Sequence, residues 1–164
     1  MLVEQDVQTE LEAAVSAAAA GNWREAHEKL DQLPPERATP ETLLTRCRSA
    51  AQVGRWAEVE MIASAATNTY PDEPAFYTQW AWAVYRQERT VEAFEIVTNA
   101  AERFSKSVSV AYSAACLSGV MHRTSDARQW LALAIDRASN PEKVKLRSLV
   151  QPELQSLWNE AKVE

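Results

Sequence analysis

Three glycines, two cysteines and two histidines in 164 residues exclude a good deal. So few glycines argue against a β-sandwich or barrel, whose many turns need more of them. They also leave no material for a phosphate-cradling loop; no GxGxxG, P-loop or GxSxG pattern is present. Cys47 and Cys116 form no CxxC or Cys/His cluster, so no zinc site is expected. The apolar run from Ala13 to Ala20 falls far short of the roughly 20 residues a membrane span needs. The opening Met-Leu-Val-Glu-Gln-Asp lacks the basic start of a signal peptide. Two unpaired thiols suit a reducing compartment. The expectation is a soluble cytoplasmic protein with no membrane insertion.

The formal net charge is −6 and the pI about 5.1. That balance disfavours a nucleic-acid partner, because affinity for phosphate backbones comes from clustered Lys and Arg. The one short basic run, Lys143, Lys145 and Arg147, reads as solvated charge after a turn, since alternate residues share a helix face poorly. What is plentiful is alanine, glutamate, leucine and arginine, all good helix formers. Most of the seven prolines fall between the segments that read as helices. The length points to one domain, residues 1–164, able to bury roughly 70% of the surface of its unfolded chain.

An internal repeat organises the chain. Gly21-Asn22-Trp23-Arg24-Glu25-Ala26 matches Gly54-Arg55-Trp56-Ala57-Glu58-Val59 at an offset of 33 residues. Arg89-Thr90-Val91-Glu92-Ala93 matches Arg123-Thr124-Ser125-Asp126-Ala127 at 34, and Val59 aligns with Ala93 at 34. Gly21 and Gly54 stand where one helix must end, and glycine tolerates the left-handed conformation of a C-cap. Thr90 and Thr124 replace the tryptophan, so a differently built turn is expected in those two units.

A 34-residue helix–turn–helix with small residues at fixed places resembles the tetratricopeptide repeat. Small residues fall where first helices cross, at Ala14, Cys47, Ala81 and Ala115, and early in the second helices, at Ala26, Val59, Ala93 and Ala127. Leu30, Ala63, Val97 and Leu131, then Leu33, Ala66, Ala100 and Ala134, take the later second-helix places, and Pro71 closes a unit. Departures are Pro34-Pro35, which end the first unit early, Ser105 and Ser139 in place of proline, and a large first-helix aromatic clear only at Tyr77. The resemblance covers about residues 5–140. It implies an all-α, right-handed α-solenoid of about four hairpins, with repeats at about 5–38, 40–72, 74–106 and 108–140. The expected helices are 4–20 with 23–33, 41–53 with 56–69, 74–87 with 90–104, and 108–121 with 124–138.

A cap over about 141–162 is expected to follow. Asn140 and Pro141 are an N-cap and a first helical residue, and Pro152 opens a last helix. That helix carries Leu154, Leu157, Trp158 and Ala161 on one face, suited to covering the open end of a solenoid, with partner binding as the alternative use of the stripe.

No catalytic constellation emerges. His27 and His122 lie in different units and read as packing or surface residues. No acidic array resembles an EF-hand loop, and nothing near Cys116 in sequence would activate it. No enzyme activity, cofactor or metal is expected.

The resemblance implies that first helices line a concave protein-binding groove. Carried over position by position, the groove takes Leu44, Arg48 and Gln52 from the second unit, Thr78, Trp82, Tyr85 and Arg86 from the third, and Tyr112 and Cys116 from the fourth. Leu11 and Val15 are the bland equivalents in the first. Trp80 and Trp82 point about 200° apart on a helix, so Trp80 is expected to pack inward and Trp82 to face the groove. Some family members grip a C-terminal carboxylate with lysine and asparagine. Here Leu44, Arg48, Thr78 and Gln79 stand instead, with no lysine between Lys29 and Lys106, so that clamp is not expected. Arg48 and Arg86 remain able to meet a carboxylate bidentately. The leading expectation is an adaptor or scaffold receiving a peptide or helix. A secretion or assembly chaperone and a homodimer or larger homo-oligomer using the same face are the alternatives.

Overall fold

The computed structural model describes residues 2–33 and 38–160. Among the described residues ten α-helices follow one another: α1 Leu2–Ala19, α2 Trp23–Asp31, α3 Pro40–Gln52, α4 Trp56–Thr69, α5 Pro74–Tyr85, α6 Thr90–Arg103, α7 Val108–Val120, α8 Thr124–Arg137, α9 Pro141–Val150 and α10 Gln155–Glu160. The expected boundaries of the paired helices agree within two residues. Pro152 opens a 3-10 turn, Pro152–Leu154, rather than the α-helix itself. No strand occurs among the described residues. Pro34, Pro35 and Ala161 lie outside them.

One turn design is used four times. After each first helix a single residue takes positive φ: Gly21 at 78°, Gly54 at 79°, Glu88 at 66° and His122 at 56°. The next amide then reaches back five residues: Asn22 to Ala17 at 2.8 Å, Arg55 to Ala50 at 2.9 Å, Arg89 to Val84 at 3.2 Å and Arg123 to Ser118 at 2.9 Å. This is the Schellman bond pattern, which satisfies carbonyls left over at a helix end. The expectation of a differently built turn before Thr90 and Thr124 is therefore corrected. The backbone is the same, and Glu88 and His122 adopt the left-handed conformation without being glycine.

The helices pack as two compact units, Met1–Ala83 and Val84–Glu164. In the first, α1 packs on α2, α2 on α3, and α3 on α4. The small residues do what the repeat requires: Ala14, Cys47, Ala81, Ala26 and Val59 are wholly buried, letting helix axes approach. Cys47, Ala50, Val59, Ile62, Ala63 and Ala83 form one cluster, with Leu43, Ala51, Trp56 and Trp80 packed around it. Trp80 thus packs inward, as its register predicts.

A carboxylate binds three elements of this unit together. Glu58 on α4 has Oε2 3.5 Å from His27 Nε2 on α2 and 3.5 Å from Arg55 at its own helix start. Its Oε1 lies 3.9 Å from Arg46 Nε on α3, and Arg46 also pairs with Asp31 on α2. Shared, half-buried charges of this kind hold more than isolated surface pairs. His27 is therefore a packing residue.

In the second unit α6 packs on α7, α7 on α8 and α8 on α9, while the 3-10 turn and α10 pack on α7. Asn140 caps α9 by accepting from the Lys143 amide at 3.0 Å, with Pro141 at the first helical position. Every residue from Val110 to Gly119 is buried, so α7 has no solvent face over that span.

Candidate functional site

Within the first unit the register-selected residues divide by burial. On α3, Arg48 and Gln52 are exposed and Leu44 is half-buried; on α5, Trp82 is half-buried. The three α3 residues are spaced i, i+4 and i+8, so they form one stripe along the helix. Thr78 does not join them. It is only 7% exposed, and its hydroxyl donates to the Ala75 carbonyl at 2.9 Å. That hydroxyl closes on its own helix. Leu11 is half-buried and Val15 exposed on α1.

In the second unit Arg86 is exposed and Tyr85 half-buried. Tyr112 and Cys116, read from the register as groove-lining, are 4% and 0% exposed. The physical reason is the chain's own C-terminal segment. Leu154 is wholly buried and Leu157 nearly so, and the Trp158 indole N–H donates to the Ser148 carbonyl at 2.9 Å. At Gly119 the backbone of Glu153 approaches so closely that an added Cβ would stand 2.2 Å from its carbonyl oxygen. The Arg147 guanidinium lies 4.6 Å from the Tyr112 ring centroid, a cation–π distance. Sequence register says which way a first-helix residue points; it does not say what covers it. The apolar stripe at Leu154 and Leu157 was the one available signal that something would.

This covered cluster is chemically quiet. Burial pushes the Cys116 thiol up to about 12, with Glu153 adding to the shift, and burial pushes Cys47 up to about 12 as well. Burial, then Cys116, pushes the Tyr112 hydroxyl up to about 12, and burial with Glu153 raises Tyr85. Neither thiol is a nucleophile near neutral pH, because the thiolate is the reactive form. Both cysteines are free. The native chain should therefore react with neither thiol over minutes in a colorimetric thiol assay at pH 8, and with both once denatured. Rapid native labelling at either position would contradict the burial argument. The linkage sign follows. A thiol whose folded pKa lies above its unfolded 9.0 contributes stability fully present below pH 9 and lost as pH rises toward 12. Replacing both cysteines with alanine should flatten that alkaline loss.

Among the described residues no group of three or more His, Cys, Asp or Glu is placed to hold a metal ion. No helix among them is long and apolar enough to cross a membrane.

No protein-family model and no curated protein matches the chain. Solved structures do match it. TTC0263, a thermophilic TPR protein of Thermus thermophilus, aligns at a TM-score of 0.75 and 17% identity over 94% of this chain and 82% of that one. MamA residues 41-end from Desulfovibrio magneticus RS-1 aligns at 0.67 and 10% identity, over 95% and 91%. MamA of AMB-1 aligns at 0.64 and 14%, over 97% and 84%. These likenesses establish the fold: an all-helical repeat of the tetratricopeptide type.

Proposed function

We propose that this chain is a non-catalytic protein-interaction module that receives a peptide or short helix on the first-helix face of its repeats. One observation carries the reading. The chain's own residues 152–158 dock on the first helix α7 as a short helical segment, burying Leu154 and Leu157. A first-helix face here is thus of a shape and chemistry that accepts such a segment. One repeat earlier, Trp82 holds the place that Cys116 holds on α7, and Thr78 that of Tyr112. On the α3 stripe Leu44, Arg48 and Gln52 offer an apolar contact, a cation and an amide. Tryptophan and arginine together are the residues that dominate binding energy at interfaces, and arginine suits a carboxylate-bearing ligand. The buried thiols of Cys47 and Cys116 favour a reducing, cytoplasmic setting.

Selection of peptides from a random display library against the wild-type chain tests this. Selected peptides should bind Trp82→Ala and Arg48→Glu at least about tenfold more weakly, a loss of about 1.4 kcal/mol, at a temperature well below the melting transition of each variant. Val91→Glu, altered on an exposed second-helix position, should bind like the wild type. Equal binding by the first two variants with loss in the third would place the site elsewhere and end the reading.

A further inference from the structure

The outer face of α9 is apolar over its last two turns and carries cations at its edges, with the exposed Glu142 on the same line one turn earlier. Leu146 is 64%, Leu149 49% and Val150 76% exposed. At i, i+3 and i+4 they form one ridge. At 100° per residue, Lys143 and Arg147 flank the ridge on one side and Lys145 on the other. Lys145 pairs with Glu142 on its own helix at 2.8 Å. The opposite face, with buried Ser148, is turned to the fold. Three exposed bulky aliphatics on a single ten-residue helix are more than scattered surface apolars and mark a contact. The three cations sit in a chain whose net charge is −6, so this helix has the opposite sign to the molecule as a whole.

α1 presents the complement. The sequence contains no Lys, Arg or His before Arg24, and the helix carries Glu4, Asp6, Glu10 and Glu12. Its solvent side shows Val15 at 41% exposure, Ala19 exposed, Leu11 and Ala18 half-buried, with Glu12 exposed alongside. Its buried side, Ala14 and Ala17, faces inward. The strip is shallow because its residues are small, and it is edged by a carboxylate. Bulky ridge and shallow strip fit as knobs and holes, and the edge charges are opposite in sign.

We propose that copies of this chain associate head to tail, α9 of one copy seated on α1 of the next. Leu146, Leu149 and Val150 enter the strip around Val15 and Ala19, with Lys143 beside Glu12. Repeated from copy to copy, the contact leaves one α1 and one α9 face available on each growing assembly. A single ten-residue helix seated on one face of another buries less than a standard interface, so association is expected to be weak. It rests on the same first-helix face as the peptide-binding reading, at the α1 positions Leu11 and Val15, while the variants that test that reading, Trp82→Ala and Arg48→Glu, lie on α5 and α3 and keep the two tests separate.

Sedimentation over a concentration series, on the full chain, tests it with two surface variants, Val15→Glu and Leu146→Glu. The wild type should rise beyond dimer mass as concentration increases. Each variant alone should stay monomeric. An equimolar mixture of the two should form a dimer and nothing larger, because the intact α9 of one meets the intact α1 of the other. A wild type that stays monomeric at the highest concentration overturns the proposal. So does either variant keeping the wild-type mass, which would indicate a symmetric contact between like helices, or a mixture that stays monomeric. Anionic vesicles that bind the wild type and Val15→Glu but not Leu146→Glu, with no self-association, would show that α9 meets lipid instead. Melting curves of both variants should match the wild type, since both positions are exposed.

Discussion

A Gly119→Ala chain should lose about 2–4 kcal/mol of stability and release its C-terminal segment. Alanine is the better helix former, so the substitution by itself favours α7 by about 1 kcal/mol. Packing opposes that gain. A Cβ at residue 119 would stand 2.2 Å from the Glu153 carbonyl oxygen, 3.3 Å from its carbonyl carbon and 3.5 Å from Leu154 Cδ2. The first two are backbone atoms, which cannot swing aside as a side-chain tip can, so the 3-10 turn must move as a whole. Leu154 and Leu157 then leave a fully buried setting, at about 1.5–3 kcal/mol each, and part of Tyr112 and Cys116 becomes wet. Amide exchange should accelerate through residues 151–158, and the Trp158 emission should shift as its bond to the Ser148 carbonyl is lost. The comparison is Gly21→Ala or Gly54→Ala, where nothing lies within 4 Å of the added carbon. There the cost is the left-handed backbone alone, about 1–2 kcal/mol. If Gly119→Ala melts and exchanges like the wild type, the segment is not seated as described.

The helices were legible because the repeat marks them redundantly. Gly21 and Gly54 announce two of the turns, and the small residues at Ala14, Cys47, Ala81 and Ala115, all wholly buried, announce the crossings. Glu88 and His122 hold the same left-handed turn position yet carry no sequence signal, since the surrounding bonds impose the conformation on ordinary residues. The inward packing of Trp80 follows from the register of α5 as well. What covers a face was not legible. Tyr112 and Cys116 are buried on α7, on which residues 152–158 pack, and a contact between segments some 40 positions apart leaves no periodic trace. The aromatic anchor of α5 was likewise displaced by one residue. Tyr77 holds the family position and is half-buried, its hydroxyl donating to the Pro71 carbonyl at 3.3 Å. Its neighbour Phe76 is the ring with no exposure at all.

That neighbour is the basis of the other large expected effect. Phe76 ranks first by volume among the wholly buried side chains, and its ring stacks on Tyr70 with centroids 6.0 Å apart. Tyr70 in turn donates its hydroxyl to the Ala38 carbonyl at 2.6 Å, tying the chain just before α3 to the end of α4. Removing the Phe76 ring leaves a cavity that a close-packed helical unit fills only in part. It also frees the Tyr70 ring to turn away from that bond. Phe76→Ala should cost about 3–5 kcal/mol, or roughly 10 °C in melting temperature for a chain of this size. Phe76→Leu, which refills most of the volume, should cost less than half as much. Tyr70→Phe keeps the stacked ring and removes only the hydroxyl, so it should cost about 1 kcal/mol. The order Phe76→Ala, Phe76→Leu, Tyr70→Phe, read from denaturant midpoints with a common slope, checks the account. If Tyr70→Phe proved the most damaging, the hydrogen bond to Ala38 and not the buried ring would be what holds this part of the first unit.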